Sequence, residues 1–282
     1  MSICYINGAY RNTLNSVISI EDRGFNFADS VYEVIGFKRY KLLNIKKHIK
    51  RLKNSIKELQ INKPFTNYRS LELIAKQLMR MNNLNEGFIY LQVTRGTAKR
   101  NHLFSKKMHP NIVITIFSGM NLKSLKEGVK VSLVDDLRWL RCDIKSTSLL
   151  PNVIEKQRGA DRGFFEVWQV RQNIITEGTT SNAFIVNEKN KIITHPKNNL
   201  ILGGVTRDCV IQIAKNNDYD VLEKGFDIEE LKKSKEAFLT STTLGIIPVI
   251  QVDDIVINEK KIGEVSQKLE VKFNDFLDDQ VK

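Results

Sequence analysis

Residues 136–146 read DLRWLRCDIKS. In a chain with 44 lysines and arginines most such side chains are solvated surface, yet Lys145 follows Trp139, Leu140, Cys142 and Ile144. An amine placed after this apolar, cysteine-bearing run is expected to be partly walled off from water, and desolvation favours the neutral, nucleophilic form. The competing reading is a strand-end lysine reaching out to solvent, and the stretch alone favours it. The remainder of the chain has to decide between them.

The 282 residues suffice for one large or two ordinary domains with a real core. Hydrophobic residues at 41% and charged residues at 27% place the chain among globular proteins rather than disordered or fibrous ones. No apolar run approaches the roughly 20 residues of a membrane-spanning helix. The opening MSICYINGAYRN lacks a basic stretch followed by an apolar one, so no secretory signal is expected. Cys4, Cys142 and Cys209 are widely spaced and fit no metal-ligand pattern, so we expect reduced thiols, a cytoplasmic location and no metal. The net charge of +12 raises nucleic acid as a partner. Its densest basic run, residues 46–59, nevertheless sets Ile45, Ile49, Leu52, Ile56 and Leu59 on one helical face and leaves the lysines on the solvent face. No zinc-finger spacing or aromatic RNA-binding pattern accompanies it. Nucleic acid is therefore not an expected partner.

Strand and helix signals alternate along the chain. Asn7-Gly8 marks a hairpin, and VYEVIGFKRYKLLNI a second one that feeds the 45–60 helix. A helix follows at about 68–83 with Leu71, Leu73, Ile74, Leu78 and Met79 as its apolar face, then the strands FIYLQVTRG and NIVITIF. SGMNLKS, 118–124, reads as a linker, dividing the chain into a smaller domain, 1–119, and a larger one, 120–282. The second part contains GVKVSLVDDLRWL, a helix near 151–162, the strands FEVWQV and AFIVN, a Gly-Gly turn opening a helix, a strand–turn–strand at 236–254 and a closing helix at about 263–278. The fold class is α/β (α+β) in two domains.

Four clusters could carry chemistry. LGGVTRD would let backbone approach an anion at a helix N-terminus, with Val205 and Thr206 in its first turn, though Gly-Gly more often serves a tight turn. TSTT, 240–243, offers hydroxyls at a strand end, which are common in any fold. Glu177 in TEGTTSNAF lies between a strand and a small polar turn, either as an ordinary loop carboxylate or beside a cofactor ring nitrogen. VTRGTAKRNH gathers Arg95, Lys99, Arg100 and His102, either as a solvated basic loop or as a clamp for a small carboxylate.

Taken together, EDRGFNFADSVYEV, HIKRL, RWLRCDIKS, SLLPNVIEKQ, TEGTTSN, GGVTRD and TSTT resemble, in order and spacing, the fold-type IV pyridoxal-phosphate enzymes. That group includes branched-chain aminotransferases, D-amino-acid aminotransferases and aminodeoxychorismate lyases. The resemblance runs from about residue 3 to 275, and RGTAKRNH and RWLRCDIKS are most similar to the D-amino-acid (D-alanine) aminotransferases. SLLPNV is nearer the wider group's pattern.

The resemblance implies a two-domain aminotransferase-like fold, pyridoxal 5'-phosphate as cofactor, and amino and 2-oxo acids as substrates. It implies that Lys145 binds the cofactor covalently and shuttles the proton, and that Glu177 faces the pyridine nitrogen. Arg51, Val205, Thr206, Ser241 and Thr242 match the phosphate cup, and Leu202 the residue packed on the ring. Tyr32, Arg100 and His102 match a trap for the substrate carboxylate, completed in the family across a homodimer interface. The leading expectation is a D-amino-acid transaminase; a branched-chain L-aminotransferase or an aminodeoxychorismate lyase on the same fold are the alternatives.

Overall fold

In the computed structural model, which describes residues 2–119, 125 and 127–282, the Asn7-Gly8 signal closes a two-residue hairpin. It joins β1 (Ile3–Ile6) to β2 (Ala9–Asn12), with Ile6 opposite Ala9 and φ of 46° and 98° at the turn. Positive φ at both positions suits the twist of the strands, and Asn and Gly tolerate it best. The second hairpin joins β3 (Ser30–Lys38) to β4 (Lys41–Leu42), here with Arg39 and Tyr40 in the left-handed region at φ 50° and 60°. With β5 (Glu86–Thr94) and β6 (Asn111–Phe117) these strands form an antiparallel sheet of order β2-β1-β6-β5-β3-β4.

The chain divides into two compact units: Met1–Met120 with Ile144–Ser148 and Gln280–Lys282, and Asn121–Asp143 with Leu149–Asp279. The linker expected at 118–124 lies, from 120 onward, outside the described residues.

In the first unit, the short α1 (Arg23–Phe27) precedes β3, while α2 (Ile45–Glu58) and α3 (Arg69–Met81) supply apolar side chains to the core. Strand alternation sends Val31, Ile35 and Phe37 into that core beside Leu52 and Ile56 of α2 and Leu71, Leu78 and Met79 of α3. Leu73, expected on the buried face of α3, is 69% exposed. Two positions on from Leu71 is about 200° around a helix, so the two residues cannot share a face. Ile45, Ile49 and Leu59 are only partly buried, because His48 and Ser55 also occupy the inner side of α2.

Ile144–Ser148 pairs with the start of β3. Tyr32 N donates to the Lys145 carbonyl at 3.0 Å, Thr147 N to Ser30 O at 3.1 Å, and Lys145 N to Ser55 Oγ at 3.1 Å. Lys145 therefore has a fixed backbone on both sides.

The second unit is built on a ten-stranded sheet. Its strands are β7 (Val129–Asp135), β8 (Glu166–Arg171), β9 (Ile174–Gly178), β10 (Asn182–Val186), β11 (Ile192–Thr194), β12 (Val221–Glu223), β13 (Phe226–Asp227), β14 (Glu236–Ser241), β15 (Gly245–Val252) and β16 (Ile255–Val256). The order is β12-β11-β10-β14-β15-β7-β8-β9-β13, with β16 also on β15. All five residues of β10 are buried, since the sheet is covered on both faces there. Ala183 and Ile185 join a core containing Trp168 and Phe226, while Phe184 and Val186 join another with Val210 of α5 (Val205–Lys215) and Leu269 of α7 (Glu264–Asp279). The rings of Phe184 and Phe238 stack at 4.7 Å, and burying each such side chain stabilises the fold by roughly 1.5–3 kcal/mol. α4 (Leu150–Asp161) falls where the sequence placed a helix. The five-residue α6 (Ile228–Lys232), absent from the sequence reading, opens on a capping box between Asp227 and Glu230 that the spacing D-x-x-E encodes. Among the described residues no helix is long and apolar enough to cross a membrane.

Candidate active site

The buried face of β3 carries one charge among its apolar residues: Glu33, between Val31 and Ile35, is fully buried. A carboxylate taken out of water must be paired. Arg51 donates to it through Nε and Nη2, both at 2.8 Å, and His48 Nδ1 lies 2.8 Å from its second oxygen. Burial alone would raise the Glu33 carboxyl, but the Arg51 guanidinium and the His48 contact bring it down from its ordinary 4.5 to about 2. His48 is pushed the other way by burial, below the usual imidazole value, with Glu33 opposing. A neutral ring can still donate Nδ1–H to the carboxylate. Arg51 is thus oriented as a rigid fork before any ligand arrives. The sequence carried a signal for this that the helical reading passed over. Glu33 occupies an inward position of an alternating strand, and His48 and Arg51 stand three apart on the facing helix.

Lys145 is half-buried, as expected, but the wall differs from the one the sequence suggested. Trp139 is 43% and Leu140 60% exposed, whereas the Lys145 ammonium sits 4.0 Å from the centre of the Tyr32 ring. An aromatic face attracts a cation and shields it on one side. Tyr32 in turn stacks on Tyr90 at 5.5 Å, and burial lifts the Tyr90 hydroxyl to about 12, so it remains protonated and donates to Gln92 Oε1 at 2.9 Å.

Arg100 and His102 lie in the same unit but group elsewhere, on the loop after β5. Both are exposed, the Arg100 guanidinium 5.1 Å and the His102 ring 5.5 Å from the ring of Phe27.

In the second unit Glu177 lies within β9 itself rather than between a strand and a turn, and is almost fully buried. Three donors converge on it. Leu202 N reaches both oxygens at 3.0 Å, Asn182 Nδ2 donates to Oε2 at 2.9 Å, and the Arg138 guanidinium pairs with Oε1. Burial pushes the Glu177 carboxyl up to about 7, with Arg138 and Leu202 pulling the other way. Asp136 holds Arg138 by two bonds of 2.9 Å, through Nε and Nη2, and is itself drawn below the usual carboxylate range by that guanidinium against burial. Asn182 also donates to the Leu202 carbonyl at 3.0 Å, fixing Leu202 at both ends of its peptide unit.

Gly204 is required here. A Cβ on it would meet Asn182 Oδ1 at 2.0 Å, inside any contact distance. It is also the N-cap of α5 and has no side chain with which to cap, so the first-turn N–H groups around Val205 and Thr206 remain available to an anion. Thr240 stands opposite Asn182 in the β10–β14 ladder, which brings Ser241 and Thr242 to the same end of the sheet as the Glu177 partners. The turn after Glu177 is fixed by a second buried carboxylate, Glu166. It accepts from Val167 N at 2.9 Å, Thr180 Oγ1 at 2.6 Å and Ser181 Oγ at 3.0 Å. Sequence reasoning missed Glu166, Asp136 and Arg138 in these roles; Glu166 sits at an inward position of a strand, the only local hint. Among the described residues no cluster of side chains could hold a metal ion.

The first unit thus presents an amine on an aromatic face and a pre-oriented guanidinium; the second, taken by itself, presents a buried carboxylate with its donors and an open helix N-terminus. Residues 30–252 match the family Amino-transferase class IV, and the chain belongs to it. It is 33% identical to the D-alanine aminotransferase of Staphylococcus haemolyticus over 280 residues, 99% of each chain. It is 37% identical to that of Bacillus licheniformis, covering 94% of this chain and 93% of the relative. The fold matches the branched-chain amino acid aminotransferase of Escherichia coli with a TM-score of 0.89 at 21% identity, covering 98% of this chain and 94% of that one.

The Glu33 pairing sets a pH dependence. Its carboxyl is lowered on folding, so the stability it contributes is fully present above about 4.5 and is lost as the pH falls toward about 2. Glu33→Gln, which removes the carboxylate charge that faces Arg51 and His48, is expected to cost on the order of 3 kcal/mol at neutral pH. The gap between wild type and variant should close across that acid window in urea unfolding followed by circular dichroism. A gap that stays constant from neutrality to pH 2 would exclude the pairing.

Proposed function

We propose that this chain is a D-amino-acid transaminase that moves the amino group of D-alanine, D-glutamate or D-aspartate onto a 2-oxo acid such as 2-oxoglutarate or pyruvate, using pyridoxal 5'-phosphate. The observation that carries the reading is its relation, at 33% and 37% identity over nearly the full chain, to D-alanine aminotransferases. The branched-chain enzyme shares the fold at 21% identity.

The residues suit that cofactor. Lys145 supplies a primary amine, Glu177 a carboxylate for a ring nitrogen, and Leu202 an apolar side chain for the ring. The first turn of α5 at Val205 and Thr206 suits a phosphate, with hydroxyls from Ser241 and Thr242 and positive charge from Arg51. When bound, the cofactor supplies an electron sink for the bond broken at the α-carbon. Lys145 Nζ would take up the substrate's α-proton and hold it for return, which requires the amine form. Glu177, buried and held by its donors, would favour a protonated ring nitrogen placed before it. Tyr32, Arg100 and His102 hold the substrate carboxylate, the guanidinium by a fork of N–H donors. Pinning that carboxylate decides which face of the α-carbon turns its hydrogen toward the amine, so an L-isomer presents its side chain instead.

We further propose a homodimer in which the Arg100–His102 loop serves the partner's site. Supporting it, Leu14, Val17, Ile20 and Phe25 are each more than three-quarters exposed within one short segment, an apolar surface of the kind that association covers.

Three measurements test these readings. In a D- and L-amino-acid panel with 2-oxoglutarate or pyruvate, D-alanine, D-glutamate or D-aspartate should be the good donors. Efficient use of L-leucine with D-alanine inert would move the chain to the branched-chain group, and turnover without an acceptor to the lyases. Borohydride reduction of the yellow holoenzyme should fix the cofactor on the tryptic peptide holding Lys145, and label on another peptide would remove Lys145 from its role. Mixing Arg100→Ala with Lys145→Ala subunits should recover roughly a quarter to a half of wild-type activity through one whole composite site; no recovery after confirmed exchange would count against a shared site.

A further inference from the structure

The motif EDRGF contains a buried arginine that the reaction above leaves without a role. Arg23, the first residue of α1, is 4% exposed. Its Nε donates to Asp29 Oδ2 at 2.9 Å, which fixes the plane of the guanidinium. Its outer nitrogens then go to three consecutive backbone carbonyls: Nη1 to Asn101 O at 2.5 Å and to Leu103 O at 3.4 Å, and Nη2 to His102 O at 3.3 Å. The guanidinium also lies over the Phe27 ring at 4.7 Å, the ring against which Arg100 and His102 group.

We propose that Arg23 is the positioning residue of the Arg100–His102 loop, setting the place of the carboxylate-binding side chains by gripping the backbone that bears them. The proposal rests on the reading of that loop given above. Three carbonyls in a row have no strand or helix partner to define them, and a single charged fork supplies all three with donors at once. The supports on either side of it lock its own position. Asp29 also receives Arg95 through two bonds of 2.6 and 2.8 Å, and Arg95 lies over Phe104 at 3.6 Å. At its base the loop is joined to the Arg23 segment by Arg23 N to Gly96 O at 3.0 Å and Ala98 N to Glu21 O at 3.2 Å. Its return is held by Asn62 Nδ2 on the carbonyls of Lys106 and Met108, at 2.8 and 2.7 Å. Without Arg23 the loop stays attached at both ends, and only the stretch with Arg100 and His102 loses its definition.

Arg23→Lys keeps the charge near Asp29 and cannot span three carbonyls. In the holoenzyme it should raise KM for D-alanine and for 2-oxoglutarate by about tenfold with kcat within about threefold of wild type, a loss of binding rather than of chemistry. Cofactor affinity in a pyridoxal-phosphate titration should be unchanged. The decisive readout is a double-mutant cycle on KM with Arg100→Ala. Residues acting through one another are not additive, so the double variant should fall clearly short of the product of the two single effects, the remainder being the part exerted through His102. Additive effects, or an unchanged KM in Arg23→Lys, would overturn the proposal. If Arg100→Ala itself leaves KM unchanged, the functional reading of the loop fails instead. Should Arg23→Lys not fold, Phe104→Ala decides, since it keeps every buried charge and removes a ring that braces the guanidinium pair; an unchanged KM there would overturn the proposal too.

Discussion

A carboxylate removed from water has to be met by donors, and in this protein that requirement shapes both units. Glu33 fixes Arg51 and His48, Asp29 fixes Arg23 and Arg95, Asp136 and Glu177 share Arg138, and Glu166 gathers the turn after β9. Removing one partner from such a set is costly because the other charge is left buried and unpaired. The same cost makes each set rigid. The side chains they hold, Arg51 and Arg138 among them, are therefore attached to the parts of the fold least able to relax.

Glu177 shows how finely such an arrangement can be balanced. Its donors come from a strand neighbour, a loop N–H and an arginine that is itself restrained by Asp136. Burial pushes it toward the protonated form while those donors favour the charged one, leaving it at about 7, where a small change in surroundings decides its state. A carboxyl poised in that way can respond to a partner placed before it. Glu33, with a strong charge partner and no such balance, stays ionised down to about 2 and serves only to hold its neighbours.

Most helices and strands were legible in the sequence because their periodicities are strong and their turn signals local: Asn7-Gly8, the apolar face of α2, and the Gly-Gly before α5. The departures have local causes. Leu73 fails the helical angle it was assigned, and the apolar run before Lys145 contributes two largely exposed residues while Tyr32, more than a hundred positions earlier, covers the amine. Motif order was enough to single out Lys145 and Glu177 as candidates. It was not enough to name Glu33, Arg23, Asp136 or Glu166, whose meaning comes from partners brought near by strand pairing and helix packing. Of these, Glu33 was within reach, because an acidic residue on the apolar side of an alternating strand already implies a partner.

The short segment Ile144–Ser148 has a consequence for the order in which the chain can acquire its structure. It belongs to the first unit although its flanks belong to the second, and its backbone bonds go to residues 30 and 32 at the start of β3. As the ribosome releases the chain from its N-terminus, residues 1–119 can emerge and collapse, yet the edge of β3 beside Tyr32 stays open until much later sequence follows. Closing so long a loop costs little more than closing a moderate one, since the penalty grows only logarithmically with length, but it delays the contact and slows the step that makes it. Lys145 is thus secured by one of the most distant backbone pairings of its unit, and a chain cut short before it could not present that amine at all.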